Sequence, residues 1–500
     1  MERLARVVFL SDPFFGLPRL TALAIGLGLG RPGSVAPPDA SSCATPHLEG
    51  LVAHWNFAEP DLPYSSCGVG HSLQLAPGAT APIRNPDGFK PGVASLAFDG
   101  TDRHLMIPAH QLGNLQMGGI AQGVTVATWI KRSGDTNSAV AGIWQEDTAD
   151  ARRQYALFVN LAKYGGDDRV CGHISSIDGP TPDYPYSRDY SWNSRRIDPG
   201  DIDVWRFAVF TYDGAQIRSY LDGAFESTPS FLDEEGYTRA ANPYDYPYGM
   251  NPASAEFTVG AVKMTGGYGN FLHGEIANLR VWDRALSQHE IIDIYKADKP
   301  IGSPLFRDVF RTTQKAASRA MGWRSFLGAS CIETTDQVPQ ETLADLYNFG
   351  GAATGNGGYL ARTGTAAGVG LGYFDGFAEA PLQWNDVGRF EWVMNNASSS
   401  DAVRLAVRVA GQWYASSALF SCTSRHNATD WSGAEPFTFQ MTRAAASWQS
   451  VDFEPGSSLA LGGHLLNDIV GDEIEAFGFF CDEGSQGTIR IGDFDVTSVS

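Results

Sequence analysis

The stretch Trp205–Gly223, WRFAVFTYDGAQIRSYLDG, decides the fold class of this chain. Two apolar runs rich in aromatic and β-branched residues are separated by Asp213-Gly214, a dipeptide typical of a tight hairpin turn. A second Asp-Gly pair, Asp222-Gly223, ends the second run. The stretch therefore predicts two antiparallel strands joined by a hairpin.

The same pattern of short apolar runs between turn residues extends in both directions from this hairpin. The 56 glycines and 27 prolines show no period, and this composition indicates many short strands and turns. Only the stretch Ala285–Ala297 has its apolar residues at helical spacing, and Ser287 is its predicted N-cap. The sequence predicts an all-β protein.

The chain length and one change of composition indicate how this strand-rich chain divides. Single hydrophobic cores usually stop growing at about 250–300 residues, so 500 residues favour two domains. The segment Asp298–Pro304, DKPIGSP, is a predicted linker, and strand-like runs resume after it. We predict two β-sandwich (jelly-roll) domains in tandem, residues 41–297 and 305–500, with a linker at 298–304.

Residues 1–40 form a separate segment. An apolar run from Leu20 to Gly30 follows Arg19 and is followed by small residues, as in a signal peptide. An arm that contacts a protein partner, and a disordered segment, are the alternatives. The run is shorter than the about 20 apolar residues that span a bilayer, and no later run reaches that length, so we predict no transmembrane helix.

The net charge of the chain excludes some classes of binding partner. The 56 acidic and 36 basic residues give a formal net charge of −20, which repels nucleic acid and anionic membranes. The acidity is also typical of a solvated extracellular surface. We therefore predict no nucleic-acid partner and an extracellular or cell-surface location.

Five fragments of the sequence occur in the order and at the spacing that are typical of one protein family. They are GLVAHWNF, ASLAFDGTDRHLMIP, GVTVATWIKR, WRFAVFTYDGAQIRSYLDG and FLHGEIANLRVWDRALSQHEI. With them, residues 48–297 resemble the laminin-G-like jelly roll of the concanavalin A-like lectin and glucanase superfamily. Three later stretches are FEWVMNNASSSDAVRLAVRVAGQWYAS, VDFEPGSSLALG and IEAFGFFCDEGSQGTIRIGDFDV. Through them, residues 370–500 more loosely resemble carbohydrate-binding-module-like sandwiches. The second resemblance implies an accessory binding module that carries no catalytic residues.

The chain departs from the first family at one turn. The family usually has an Asp-x-Ser-Gly-x-Gly-like turn after the first strand, and this chain has SSCGVG at Ser65–Gly70. Since Ser65 replaces the aspartate, calcium, if it binds, has Glu59, Asp99 and Asp102 as candidate ligands. Asx turns explain the two aspartates without metal. No cofactor is required by the sequence.

The six cysteines show no CxxC or Cys/His metal spacing. Cys67 occupies the turn where the family needs no thiol, and Cys43 precedes the first strand, so we predict a Cys43–Cys67 disulfide. A second disulfide, Cys422–Cys481, is predicted because both residues end similar apolar runs, SSALFSC and AFGFFC.

No catalytic residue is predicted. Glycosidases of the superfamily carry Glu-x-Asp-x-x-Glu on one strand, and this chain has no such run. Glu290 and Asp293 fit a solvated helix face, and Glu473 and Glu475 fit the charges of an edge strand. A lyase that uses Tyr, His and Arg from separate strands stays an alternative.

Aromatic residues in two long loops are the predicted binding site. The loops, residues 178–203 and 228–253, each contain DYPY, at Asp183–Tyr186 and at Asp245–Tyr248. Rings and neighbouring charges suit the stacking and hydrogen bonding of sugars. The predicted ligand-binding residues are Tyr184, Tyr186, Arg188, Tyr190, Trp192, Tyr244, Tyr246 and Tyr248. The loops have two alternatives, a rigid cover over a sheet edge and a protein interface.

The charges interleaved with these rings, among them Arg188, Arg195 and Asp245, predict that the patch is wet, because unpaired charges are costly to bury. We therefore expect an exported or surface-displayed protein that binds a glycan or cell-surface polysaccharide, or acts in adhesion, without a catalytic site of its own. The alternatives are a polysaccharide-degrading enzyme, either glycosidase or lyase, and a structural subunit of a surface or virion assembly.

Overall fold

The computed structural model describes most of the chain after its first 44 residues. It covers residues 45–497 except 68–69, 120–121, 147–150, 162–165, 177–189, 198–203, 229–230, 233–237, 240–241, 309, 311–321, 334–359, 363–367, 385, 397–400, 423–433 and 483–488. Among these described residues, no helix is long and apolar enough to cross a bilayer. The arm predicted at residues 1–40 lies outside them.

The first sandwich is built from the strands that precede the helix. They are β1 (Leu51–Trp55), β2 (Tyr64–Ser65), β3 (Ser72–Leu75), β4 (Ile83–Lys90), β5 (Val93–Asp99), β6 (Leu105–Ile107), β7 (Val124–Arg132), β8 (Ser138–Gln145), β9 (Arg152–Leu161), β10 (Gly166–Ile174), β11 (Tyr190–Trp192), β12 (Arg206–Tyr212), β13 (Gln216–Leu221), β14 (Ala224–Phe225), β15 (Phe231–Leu232), β16 (Thr238–Arg239), β17 (Tyr244–Asp245), β18 (Phe257–Val259), β19 (Val262–Met264), β20 (Gly267–Gly269) and β21 (His273–Trp282).

These strands form two large sheets that enclose a hydrophobic core. Sheet 1 has the order β14-β13-β12-β7-β21-β5-β4, with β1 beside β21 and β17 beside β13. Sheet 2 has the order β11-β10-β9-β8-β18-β6-β3-β2, and β19 and β20 extend it from β8. Side chains from both sheets, such as Phe210 of β12 and Leu157 of β9, meet in one buried cluster. The predicted all-β class is confirmed.

The hairpin that decided the fold class forms as predicted. Strands β12 and β13 pair antiparallel from Ala208↔Leu221 to Tyr212↔Ile217. At the turn, Asp213 Oδ1 accepts hydrogen bonds from the backbone N–H groups of Ala215 (2.9 Å) and Gln216 (2.7 Å), and Gly214 has φ +92°. At the other end, Asp222 and Gly223 have φ values of +54° and +79° between the paired residues Leu221 and Ala224. Positive φ at both positions is the geometry that the Asp-Gly sequence favours.

The one predicted helix is α1 (Gln288–Asp298), and it packs on the outer face of sheet 1. Ser287 is its N-cap: its side chain accepts from the Glu290 N–H, and the Glu290 carboxylate accepts from the Ser287 N–H (2.9 Å). This capping box satisfies backbone donors that the first helical turn leaves unpaired. The buried Ile291, Ile294 and Tyr295 cover the sheet.

The second sandwich follows the segment 299–305. Its strands are β22 (Phe306–Asp308), β23 (Arg324–Leu327), β24 (Ile332–Glu333), β25 (Leu360–Arg362), β26 (Gly370–Phe374), β27 (Leu382–Gln383), β28 (Arg389–Asn396), β29 (Arg404–Val409), β30 (Gln412–Ser416), β31 (Glu435–Gln440), β32 (Trp448–Glu454), β33 (Ser458–His464), β34 (Glu473–Ile474), β35 (Ala476–Cys481) and β36 (Ile489–Thr497). Sheet 3 is β22-β36-β28-β31 with β25 beside β36, and sheet 4 is β24-β23-β26-β35-β29-β30-β32-β33.

The two sandwiches meet through a buried ionic contact centred on Arg195. The Arg195 guanidinium pairs with Glu226 and donates to the Leu221 carbonyl (2.9 Å) in the first sandwich. It also donates to the Arg307 carbonyl (3.1 Å) and lies 4.6 Å from the ring centroid of Phe306 in the second. The expectation that Arg195 lies in a wet patch is therefore wrong, because Glu226 compensates its charge. The predicted division into domains 41–297 and 305–500 stays a prediction.

Candidate functional site

The second DYPY segment closes one edge of sheet 1. Tyr244 and Asp245 form β17, which pairs with β13 at Ile217 and Gln216. The Gln216 side chain donates to Asp245 Oδ1 (2.8 Å) and fastens the pairing. An added short strand with a charged residue protects a sheet from pairing with other chains. The second DYPY segment therefore covers a sheet edge, which is one of the alternatives that the sequence allowed for the aromatic loops.

Tyr246 anchors the segment in the first sandwich. Its ring has no exposed surface, and its hydroxyl accepts from the Ser176 N–H (2.9 Å). Its carbonyl accepts from the Tyr212 hydroxyl (2.9 Å). Ser176 follows β10, so this contact ties the second aromatic loop to the end of a strand of sheet 2. The buried Tyr246 ring cannot stack on a ligand in this conformation.

Tyr244 and Tyr248 lie on either side of this anchor. The Tyr248 ring meets Tyr246 edge-on at 5.1 Å, and 47% of Tyr248 is exposed. The half-buried Tyr244 ring stacks on Tyr246 at 6.5 Å between centroids. We call Tyr244, Tyr246 and Tyr248 the aromatic rim. Of the three, Tyr248 presents the largest accessible surface to a ligand.

The residues predicted in the first loop divide into two groups. Tyr184, Tyr186 and Arg188 lie outside the described residues, so their roles stay predictions. Tyr190 and Trp192 lie on β11 and are buried. Their rings pack against sheet 2 and point away from solvent.

Tyr190 and Trp192 belong to a buried cluster on the outer face of sheet 2, which we call the aromatic face. Its members are Trp144 of β8, Phe158 of β9, His173 of β10, and Tyr190 and Trp192 of β11. His173 is at the centre: its ring centroid lies 4.2 Å from that of Trp144, 5.3 Å from Tyr190 and 6.0 Å from Phe158. The half-buried Tyr244 also packs against this cluster and links it to the aromatic rim.

Small residues between the strands allow these rings to meet. Ala156 of β9 lies opposite His173 of β10 and Gly142 of β8 in the antiparallel register. A Cβ atom on Gly142 would lie 2.7 Å from the Ala156 Cβ atom, so nothing larger fits there. The rings of Trp144 and His173, from strands on either side of β9, therefore come together over Ala156.

Arg153 adds a cation to the aromatic face. It lies opposite Trp144 in the β8–β9 register, and its guanidinium is 5.5 Å from the Trp144 ring centroid. The Trp144 indole N–H donates to Glu146 Oε1 (2.8 Å). Tyr190, His173 and Arg153 thus belong to one connected cluster. The sequence prediction missed Trp144, Arg153 and His173, although the alternation of Cys171 and His173 in β10 was a signal for one face of a strand.

Comparison with protein families found a family model that matches the part of the chain that contains this site. Residues 99–292 match the Laminin_G_3 family model, described as concanavalin A-like lectin/glucanases superfamily. This stretch is concanavalin A-like. The resemblance predicted for the first part of the chain is confirmed over these residues, and they include all of the aromatic face and the aromatic rim.

Comparison with solved structures gave remote β-rich neighbours. Domain 4 of the arabinanase AbnA from Geobacillus stearothermophilus, in complex with arabinotriose, is 15% identical with a TM-score of 0.32, covering 49% of this chain and 98% of that one. The botulinum neurotoxin DC binding domain is 8% identical with a TM-score of 0.33, covering 90% and 99%. Trypanosoma rangeli sialidase is 16% identical with a TM-score of 0.31, covering 51% and 36%. The comparison with curated proteins gave no match.

Two of the three candidate calcium ligands, Asp99 and Asp102, have other partners. Asp99 Oδ1 accepts from the N–H groups of Thr101 (3.0 Å) and Asp102 (3.2 Å). Burial alone would raise the pKa of Asp99, but these backbone hydrogen bonds hold it well below its usual value. Asp102 Oδ2 accepts from the Thr80 hydroxyl (2.7 Å). The structure thus shows the Asx geometry, and calcium binding by Glu59, Asp99 and Asp102 stays untested.

The prediction of a Cys422–Cys481 disulfide is wrong, because neither residue forms one. Cys481 ends β35 in sheet 4, whereas the Cys422 thiol donates to the Met394 carbonyl of β28 in sheet 3 (3.1 Å). Burial raises the pKa of Cys422 to about 11. The Cys43–Cys67 disulfide stays a prediction, since Cys43 lies outside the described residues.

The carboxylates considered for catalysis lie away from the aromatic face and have structural partners. Glu290 caps α1 and pairs with Arg284 (2.6 Å). Glu475 accepts from the Gly411 N–H (2.9 Å) and pairs with Arg408 (3.1 Å). Glu473 Oε1 accepts from the Gln383 side chain (3.1 Å). These contacts agree with the structural interpretation of Glu290, Glu473 and Glu475.

Proposed function

We propose that this protein is exported or displayed at a cell surface and binds a polysaccharide through the aromatic rim of its concanavalin A-like region. The observation that carries the proposal is the Tyr248 ring, which is half-exposed and held edge-on by the fully buried Tyr246. A ring fixed in this way loses little conformational entropy when a sugar stacks on it. Adhesion follows if the polysaccharide belongs to another cell.

The polar neighbours of the rim support this choice of ligand. Asp245, Gln216 and Arg218 form a hydrogen-bonded row beside the tyrosines, and Arg218 reaches Glu379 of the second sandwich (3.2 Å). Sugars need an aromatic face for their C–H groups and polar side chains for their hydroxyls. The superfamily description, which includes lectins and glucanases, agrees with a carbohydrate ligand.

The test compares rim variants of the full chain. A glycan array first identifies a bound polysaccharide, and calorimetry then measures its affinity. Tyr248→Ala should weaken binding by about 1–2 kcal/mol, because it removes an anchor ring. Tyr248→Phe should retain most of the affinity. Leu466→Ala, which truncates an exposed side chain on the second sandwich, is the control. Unchanged affinity in Tyr248→Ala would contradict the proposal.

A second candidate function, a polysaccharide lyase, is favoured by the cluster of Tyr190, His173 and Arg153. Lyases of acidic polysaccharides need a base for the proton next to the carboxylate, an acid for the leaving oxygen, and a cation that stabilises the carboxylate. In this alternative, Tyr190 and His173 would transfer protons, and Arg153 would hold the carboxylate. The His173 and Tyr190 ring centroids are 5.3 Å apart, and Arg153 joins them through its contact with Trp144. In this conformation all three side chains are buried.

The lyase alternative has its own test. The full chain is incubated with acidic polysaccharides, and the ultraviolet absorbance of unsaturated products is followed. Tyr190→Phe keeps the ring in the cluster and removes only the hydroxyl, so it should abolish any lyase activity at a loss of stability of about 1 kcal/mol. Product formation by the wild type and not by Tyr190→Phe would replace the binding proposal with a catalytic one.

A further inference from the structure

A cavity of about 230 Å³ lies where the first sandwich, the connecting segment and the second sandwich meet. The first sandwich contributes Trp129, Arg206 and Tyr295, the connecting segment contributes Pro300, Ser303 and Pro304, and β22 contributes Arg307. The volume exceeds that of several water molecules, each about 30 Å³, and is just below the about 300 Å³ of small drug-sized sites. It is the size of one sugar ring.

Aromatic side chains line one side of the cavity and are fixed by packing. Trp129 and Tyr295 stack at 5.5 Å between centroids, and the Trp129 indole donates to Asp298 (3.2 Å). Trp205 is half-buried, meets Phe89 edge-on at 5.3 Å, and donates to the Gly88 carbonyl (3.1 Å). Because the indole N–H groups are already used, the rings offer the cavity an apolar, preorganised surface.

Arg206 supplies charge inside the cavity. Its Nε lies 2.8 Å from Asp222 Oδ2, and both side chains are only 7% exposed. Asp222 also accepts from the Phe207 N–H (2.9 Å), so its carboxylate is occupied on both oxygens. Among the described residues, no group accepts a hydrogen bond from the terminal Nη atoms of Arg206. A buried guanidinium therefore has a planar pair of donors available in the cavity.

We propose that this cavity binds one acidic sugar residue, whose carboxylate accepts from the Arg206 guanidinium while its ring lies against Trp129, Trp205 and Tyr295. A carboxylate matches the fork of a guanidinium with two parallel hydrogen bonds, which a hydroxyl cannot do. Arg307 is exposed, whereas Arg206 is buried and its guanidinium is fixed by Asp222, so Arg206 provides the recognition. This site is separate from the aromatic rim and does not depend on the function proposed for it.

The acidic net charge of the protein does not oppose this binding. At physiological salt, exposed charges separated by more than about 8 Å are largely screened. The net charge of −20 is spread over the whole chain, so the charged groups that line the cavity determine whether an acidic sugar binds there. Binding would also connect both sandwiches through the segment Pro300–Pro304, and a bound sugar should therefore raise the melting temperature of the full chain.

Calorimetry on the full chain tests the proposal with D-galacturonate and D-glucuronate, and with galactose and glucose as their neutral counterparts. At least one acid should bind at least tenfold more tightly than its neutral counterpart and should raise the melting temperature. Absence of binding by both acids, or equal affinity for acid and neutral sugars, would overturn the proposal. Tyr248→Ala should leave this binding unchanged, which separates the site from the aromatic rim.

Four substitutions locate the binding. Ser303→Phe should fill the cavity and abolish binding, whereas Ser303→Ala at the same position should bind like the wild type. Arg206→Lys keeps the charge but loses the planar fork, and it should weaken binding of the acid at least tenfold. If Ser303→Phe does not fold, Trp205→Leu replaces it and should weaken binding at least fivefold. Wild-type affinity in a folded Ser303→Phe or in Trp205→Leu would place the ligand elsewhere and refute the inference.

Discussion

Replacing Arg195 with methionine should destabilise the chain strongly, because the change leaves a buried carboxylate without its cation. The Glu226 side chain has no exposed surface and pairs with Arg195. Breaking a buried ion pair by removing one partner costs about 3–5 kcal/mol. The Arg195 N–H, which remains in the variant, and Asn193 Nδ2 (3.4 Å) also donate to Glu226. We therefore expect the lower end of the range, about 3 kcal/mol.

Urea unfolding of the full chain measures this loss. Two variants make the test specific. In the double variant Arg195→Met with Glu226→Met, the Glu226 charge is removed together with its cation, so the loss should be smaller than in Arg195→Met alone. Arg443→Met breaks the exposed pair with Asp472 (2.5 Å) and should cost at most about 1 kcal/mol. A loss below about 1 kcal/mol in Arg195→Met, or a larger loss in the double variant, would refute the reasoning.

Three further predictions concern single sites. Burial, and then Arg280, lower the pKa of His54 to about 3, so only the unfolded chain takes up this proton as the pH falls below about 6.5. The contribution of neutral His54 to the free energy of unfolding should thus be fully present above about pH 6.5 and should decrease towards pH 3. Urea unfolding at several pH values measures this dependence, and His54→Gln should make it less steep between these two pH values. Tyr246→Phe should lower the free energy of unfolding by about 1 kcal/mol, because only the hydrogen bonds of the hydroxyl are lost. Tyr246→Ala should lower it by about 3–5 kcal/mol, because the buried ring is lost, and thermal unfolding measures both changes. Cys422 and Cys481 should both react with a thiol reagent after unfolding without reductant, as shown by peptide mass; protection of both would restore the disulfide.

The fold could be predicted where its signals are local. Asp213-Gly214 and Asp222-Gly223 determine their turns through the backbone conformations they favour, and the Ser287–Glu290 capping box marks the start of α1. The error at Cys422 has the opposite cause. SSALFSC resembles a strand, but β30 ends at Ser416, and over the described residues 417–422 the structure has only a single bridge, between Phe420 and Val403. Which thiols meet depends on long-range pairing, which local apolarity does not reveal.

The candidate site was less predictable because burial is a tertiary property. Tyr190 and Trp192 look like loop aromatics in the sequence, and they are buried because β11 pairs with β10. The contact between Trp144 and His173 requires the registers of three strands, β8, β9 and β10, and a small residue at Ala156. From the sequence, Arg195 is expected to be a surface charge, because its partner Glu226 lies 31 residues later in the chain. The sequence shows none of these pairings.

The structural and ligand-binding interpretations of the second DYPY segment are compatible. Asp245 and Tyr246 fasten the segment to Gln216 and Ser176, and this attachment is what holds Tyr248 at the surface in one orientation. A flexible tyrosine would lose conformational entropy on binding, whereas a ring fixed in advance has already lost it during folding. The buried member of the rim therefore supports the exposed one. Changes at Tyr246 should then affect stability first and binding as a consequence, while changes at Tyr248 should affect binding alone.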